Sequence, residues 1–384
     1  MRGLAEILAT RNALLTDYFG VAGVGPAFVN AGMLTLCSAV VYLKLRVEMT
    51  GVSIASLFLL LGFGLFGKNL LNIWPTVLGV FLYARFAREP FARHVNTAFL
   101  GAALAPIFSD ILLNPLMPLA VRLPLSAAVS LLVGFILPPS AAHLFKTHMG
   151  FNLYNVGFAA GLIGTLVVAL LRSYGLVREP VVVWTNGVAF PVAAFLTAVF
   201  ASMVAIGFLL DRDIPSKMRE LIRTSGRTPA DFVALFGAGP TFVNMGACGV
   251  VAMVYILGVG GDLNGPVIGA MFTVVGFAAF GKHPRNIIPV MVGVFVGALA
   301  KPWHADDPSV QLAVLLATTL APIAGHFGWR WGVVAGFLHS SAVLSVGYVH
   351  AGLNLYHNGF VGGIVAAVLV PVIVAVRRGQ GNRR

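Results

Sequence analysis

Apolar runs separated by short polar breaks fill nearly the whole chain. They cover residues 31–45, 50–67, 72–87, 97–113, 124–145 and 150–171, then 181–210, then 245–259, 265–281, 287–300, 309–328, 331–348 and 352–376. A bilayer's hydrocarbon core is about 30 Å thick and takes about 20 apolar helical residues to cross. Lipid offers no partner to a free backbone N–H or C=O, so helices are the spanning element such runs support. The pattern predicts an all-α polytopic membrane protein with about 13 transmembrane helices. The paired runs at 50–67 and 72–87 read either as a full hairpin or as a re-entrant one. Both forms return the chain to the side it entered from.

Composition agrees with the pattern. Hydrophobic residues make up 58% of the 384 and charged residues only 10%, against about 25% charged in a soluble domain. Mean hydropathy is +0.91. These values exclude a soluble enzyme, a nucleic-acid binder and a disordered chain. The +12 net charge is then loop charge that sets orientation rather than a nucleic-acid footprint. Cys37 and Cys248 lie in apolar runs and read as small buried hydrophobes. Residues 1–20 carry Arg2, Glu6 and Arg11, which breaks the apolar core of a cleavable signal and suggests a short amphipathic helix.

The chain repeats itself. Asp17–Phe81 aligns without a gap on Asp231–Phe295, with 24 identities in 65 positions. Gly25-Pro26, Asn30, Phe66-Gly67-Lys68, Asn72 and Pro75 all recur in register. Ala105-Pro106-Ile107 recurs at Ala321-Pro322-Ile323, and the segment from His148 recurs from His350. Apolar bias produces chance matches of Gly, Leu and Val, but not of Lys, Asn, Pro and Tyr together. The organisation is a first repeat over 1–172, a connecting helix within 173–215 and a second repeat over 216–384.

Seven crossings separate equivalent points of the two repeats. Seven is odd, so the second repeat should be inverted in the membrane. Loop charge agrees: Arg85, Arg88 and Arg93 crowd one loop, while its counterpart from Lys301 contains Asp306 and Asp307. Placing the arginine loop in the cytoplasm puts 18 of the 25 basic residues and the C-terminus inside. The expected location is a bacterial cytoplasmic membrane. Arg2 and Arg11 then fall outside, against the rule.

Inverted repeats enclose a midplane site reachable from both faces, and interrupted helices mark it. The Gly-Pro segments at 21–32 and 236–246 and the segments 66–75 and 280–289 are such interruptions. They nominate Lys68, Asn72, Lys282, Asn286, Asn30 and Asn244 as solute-binding residues, against the plainer reading of interfacial loops and snorkelling lysines. Asn152, Tyr154, Asn354 and Tyr356 precede two glycine-rich helices, whose starts favour electron-rich ligand atoms. Gly157, Gly161, Gly359 and Gly363 read as helix-packing positions, and His148 and His350 as capping residues. Asp17 and Asp231 read as N-caps. Asp110 and His326 occupy equivalent positions and form a candidate proton relay, or else simple helix-end polarity. There is no phosphate loop, metal-ligand spacing or nucleophile elbow. The dense cluster His339-Ser340-Ser341 has no counterpart at Leu137-Pro138-Pro139.

The paired motifs Phe-Gly-Lys-x3-Asn-Ile-x-Pro and Asn-Leu-Tyr-x2-Gly-Phe resemble a family of bacterial multi-pass membrane proteins of unknown function. A looser resemblance, to urea transporters, rests on Gly150 to Asn155 and on Gly352 to Tyr356, where His357 replaces the second Asn. That family's Leu-Pro-Phe pore motif has no counterpart, and each repeat holds six runs where the family has five spans and a pore helix. This resemblance implies a small polar solute.

The expectation is therefore a transporter or channel for a small polar or anionic solute, needing no cofactor, embedded in lipid and open to homo-oligomer formation. The alternative is a membrane-embedded enzyme, or a redox or structural subunit of a larger complex. Matched polar pairs favour transport, since a symmetric path uses two copies of a site and an enzyme centre rarely does.

Overall fold

The computed structural model describes residues 2–381, and the secondary structure is helical. Among the described residues nine helices are long and apolar enough to cross a membrane by length and composition. Four shorter ones complete the expected set: Gly51–Phe63, Trp74–Phe86, Gly265–Phe277 and Pro284–Leu299. At 1.5 Å per residue a 13-residue helix reaches about 20 Å, too short to cross alone. The two pairs are therefore re-entrant hairpins with their turns inside the protein.

Two further helices are interrupted in matching places. Val95–Leu112 contains the 3-10 turn Ala102–Leu104, and Pro308–Phe327 contains Ala317–Leu320. Pro106 and Pro322 follow each break, and each lacks the N–H that would carry the helix ladder through. The freed carbonyls find partners across the molecule. Ala103 O accepts the Leu355 N–H at 3.0 Å, and Thr319 O accepts the Leu153 N–H at 3.1 Å.

Reciprocal contacts prove the inversion. The hairpin helices Gly51–Phe63 and Gly265–Phe277 lie side by side, with Gly62 against Gly269 and Ala55 against Gly276. Under the 214-residue shift Gly62 is equivalent to Gly276, and Ala55 to Gly269. Each contact is thus the symmetry mate of the other, and numbering rises along one helix as it falls along its partner. Equivalent helices that pack antiparallel are related by a two-fold axis perpendicular to both. A Cβ at Gly62 would lie 2.6 Å from Gly269 O, so only glycine admits this approach. Farther along, Phe158 covers Gly363 while its equivalent Phe360 covers Gly161.

The Asp caps also cross between repeats. Asp17 Oδ1 accepts the Phe19 N–H at 2.9 Å and the Gly265 N–H at 3.1 Å. Asp231 accepts its own Val233 N–H at 3.0 Å and the Gly51 N–H at 2.9 Å. Each carboxylate caps a helix of its own repeat and the hairpin helix of the other. A hydrogen bond to a charged group contributes about 1.5–3 kcal/mol. Asp17→Ala is expected to lower stability by about 2–4 kcal/mol, above the usual N-cap cost of about 1 kcal/mol; thermal unfolding in detergent measures it, and a loss under 1 kcal/mol contradicts the double role.

Loops that parity assigns to one side meet one another. Arg11, Asp110, Arg178, Gly187 and Asp262 gather at one end. Met149, Arg227, Phe327 and Arg377 gather at the other. Arg11 is thus paired with Asp110 at 2.7 Å, which explains a basic residue at the end poor in basic charge. Cys248 is buried as expected, but Cys37 faces outward, because its helix Val24–Lys44 presents that side away from the core.

Candidate functional site

The site begins at the tips of the two hairpins. After Gly51–Phe63 one tight turn follows, and Gly67 adopts φ 72°, as its equivalent Gly281 adopts φ 106°. This left-handed step closes a Schellman-type cap. The Lys68 N–H reaches Phe63 O at 3.0 Å, and the Lys282 N–H reaches Phe277 O at 3.1 Å. The chain turns back at once, and both lysines end fully buried.

Four of the nominated asparagines build this turn. Asn30 Nδ2 donates to Gly64 O and Lys68 O at 2.7 and 3.0 Å, and Asn244 Nδ2 to Ala278 O and Lys282 O at 2.8 and 2.7 Å. Asn72 Nδ2 holds Gly67 O at 3.0 Å and Asn286 Nδ2 holds Gly281 O at 2.9 Å. The amide nitrogens are spent on backbone carbonyls and hold the turn that carries each lysine, while Asn30 Oδ1 and Asn244 Oδ1 have no partner among the described residues.

Side chains from both repeats then line up across the pseudo-two-fold axis. Lys68 Nζ sits 5.0 Å from the Phe63 ring centre. Phe63 lies 5.6 Å from Tyr356, Tyr356 lies 4.9 Å from Tyr154, and Tyr154 lies 4.6 Å from Phe277. Lys282 Nζ closes the row, 5.4 Å from Phe277 and 4.5 Å from Tyr154. One lysine amine therefore stands at each end of four rings packed tilted or edge to face. The two lysines do not share one midplane cavity, as the sequence suggested. They sit at opposite ends of the antiparallel hairpin pair, with the rings between them. A cavity of about 140 Å³ reaches the row from the Phe145 and Thr228 side and is lined by Tyr154, Tyr356 and Phe277.

The two ends differ. Lys282 Nζ donates to Tyr154 Oη at 2.5 Å and to Thr318 Oγ1 at 2.8 Å. Lys68 Nζ reaches only Phe99 O, at 3.5 Å. Tyr356 Oη, fully buried, has no hydrogen-bond partner among the described residues. The Asn-Leu-Tyr loops differ likewise. Asn152 Nδ2 donates to Gly359 O at 3.0 Å and Asn152 Oδ1 accepts the Thr319 hydroxyl at 2.6 Å, whereas Asn354 Nδ2 has no partner among the described residues.

A family model of proteins of unknown function, DUF1576, matches residues 1–173 and 210–375. The chain belongs to the DUF1576 family. No curated protein and no solved structure matches it. The two matched stretches of this DUF1576 chain correspond to its two repeats, and the helix Ala189–Leu210 lies almost wholly between them. The likeness to urea transporters stays with the dozen residues per half that carry it.

Asp110 and His326 lie apart from the row. Asp110 Oδ1 accepts from Arg11 at 2.7 Å and from Arg178 at 3.3 Å. His326 is exposed between Phe151 and Phe327. Their pseudo-symmetry itself separates them, since inversion sends equivalent positions to opposite ends; the relay therefore lacks its geometry. Asp110→Asn in this DUF1576 chain is expected to cost about 1.5–3 kcal/mol by weakening both arginine contacts. It should leave any gradient dependence of uptake unchanged, and loss of that dependence in a folded variant contradicts the structural role. The alternative enzyme cluster is also dispersed. Ser340 Oγ accepts from Lys301 at 2.8 Å, while His339 Nε2 contacts Asn358 O at 3.3 Å.

Sequence reasoning missed Phe63, Phe277, Phe99, Thr318 and Thr319. Phe63 and Phe277 are identical in the repeat alignment, so that signal was present. Nothing local distinguishes the threonines from any buried helix hydroxyl. Two larger grooves, lined by Val254, Ile288 and Phe295 and by Trp74, Leu78 and Phe81, are almost wholly apolar. They are equivalent surfaces of the two repeats and suit acyl chains rather than a polar solute.

Proposed function

We propose that the protein moves a small polar or anionic solute across the cytoplasmic membrane along the row from Lys68 to Lys282. The observation that supports this reading is the row itself: two buried lysine amines at opposite ends of four rings on a pseudo-two-fold axis. A buried charge is costly in a membrane protein and is kept where it acts. Two equivalent lysines at equivalent depths from opposite faces suit a path approached from both sides. The rings between them close the path, and each amine lies within cation–π range of a ring face. Few carboxylates lie near the row, which disfavours a metal-cation path built on Asp or Glu rings. Loop charge supports a cytoplasmic C-terminus and Arg227 end, with the cavity beside Thr228 open on that side.

The test is uptake of radiolabelled acetate, phosphate and urea into proteoliposomes. Entry of at least one, faster than into protein-free liposomes, is the expected result. Equal entry of all three with and without protein refutes the reading for anions and neutral amides alike.

A further inference from the structure

The two ends of the row differ for a reason visible in the sequence alignment. Around the interrupted helices, Thr318-Thr319 of the second repeat stands where the first repeat has Ala102-Ala103. The Thr318 hydroxyl accepts from Lys282, and the Thr319 hydroxyl donates to Asn152 and accepts the Tyr154 N–H at 2.9 Å. These two hydroxyls complete one half. In the other half alanine supplies no hydroxyl. There Lys68 Nζ has one long contact, and Tyr356 Oη and Asn354 Nδ2 have no partner among the described residues. All three are buried, at 1% exposure or less. A buried polar group without a partner loses its hydration uncompensated.

We propose that Lys68 and Tyr356 form an unclosed half-site that takes the carboxylate of a small anion. The proposal rests on the solute path above and names what that path accepts. The chemistry follows from the unused groups. An ammonium donates only, a phenol donates readily, and neither has an acceptor at normal distance. A carboxylate carries two acceptor oxygens and one negative charge, so one oxygen meets Lys68 and the other meets the Tyr356 hydroxyl. It supplies to Lys68 the oxygen that Thr318 supplies to Lys282. A neutral amide offers a single acceptor oxygen and leaves the ammonium uncompensated. The cavity touches this half at Tyr356, whose ring packs on Phe63, on whose face Lys68 sits. Its 140 Å³ suits a solute of a few heavy atoms, given about 30 Å³ of liquid volume per water. The Lys282 half is closed by its own hydroxyls.

Acetate, with acetamide as its neutral isostere, is the probe. The full-length protein in detergent is titrated with each, and binding is read from the melting temperature. Acetate should raise the melting temperature of the wild type in a saturable manner, and acetamide should not. Tyr356→Phe removes only an unpartnered hydroxyl, so it should melt like the wild type without acetate while its acetate affinity falls at least tenfold. Lys68→Met should show the same affinity loss and melt at or above the wild-type temperature. Tyr154→Phe, which breaks the bond to Lys282, should melt lower without any ligand. Wild-type acetate affinity in both Tyr356→Phe and Lys68→Met overturns the half-site, as does an equal response to acetamide or no response to acetate. Transport is judged separately. Acetate binding with the expected pattern but no uptake into proteoliposomes rejects the path and keeps the half-site. Uptake that survives both substitutions, with unchanged acetate affinity, rejects the half-site and keeps the path.

Discussion

Uptake by the double variant Lys68→Met/Lys282→Met is expected to fall at least tenfold in proteoliposomes, with the protein still inserted and folded. Methionine keeps the unbranched stem and removes the charge, so packing around Phe63 and Phe277 survives. A charged hydrogen bond contributes about 1.5–3 kcal/mol, which is a factor of about 10–150 in affinity. The single variants should separate in stability. Lys282 donates to Tyr154 and Thr318, so Lys282→Met loses two bonds. Lys68 has one long contact, and an apolar replacement of a poorly compensated buried charge is often neutral or stabilising. Lys→Arg at either end should also impair uptake, since the planar guanidinium is larger than the ammonium it replaces. Undiminished uptake by the double variant removes the lysines from the path.

The second large effect concerns the contact that joins the repeats. Gly62→Leu is expected to destabilise by at least about 3 kcal/mol, at or beyond the top of the range for overpacking. A Cβ at this position meets Gly269 O at 2.6 Å and Gly269 Cα at 2.9 Å. These are backbone atoms of a fully buried helix, so no rotamer change relieves the clash. Gly269→Leu should behave alike, since it faces Gly62 O at 2.6 Å. Normal yield and melting temperature for either variant contradict the close antiparallel packing. By contrast Gly25 has nothing near its Cβ position, and Gly25→Ala is expected to change stability by less than about 1 kcal/mol.

By itself the sequence determined the all-α membrane class, the repeat and its inversion. Run length against bilayer thickness decides the class, and an odd crossing count decides the hand of the repeat. Both are one-dimensional properties, so no tertiary contact is needed to read them. The breaks at Phe-Gly-Lys were also legible, though the sequence left full and re-entrant hairpins open, and Asp17 and Asp231 read as the N-caps they are. Only the tertiary structure decided which polar side chains remain free. Asn30, Asn72, Asn244 and Asn286 looked like ligands, and the fold occupies their amide nitrogens with backbone carbonyls up to 38 residues away. Asp110 looked like half of a relay, and Arg11 from 99 positions earlier claims it. Lys68 and Lys282 are identical in motif, yet the hydroxyls of Thr318 and Tyr154 reach one, while its counterpart has Ala102 and an unbonded Tyr356. Whether a buried group is satisfied depends on atoms brought within 3 Å by folding, and sequence spacing carries no record of that distance.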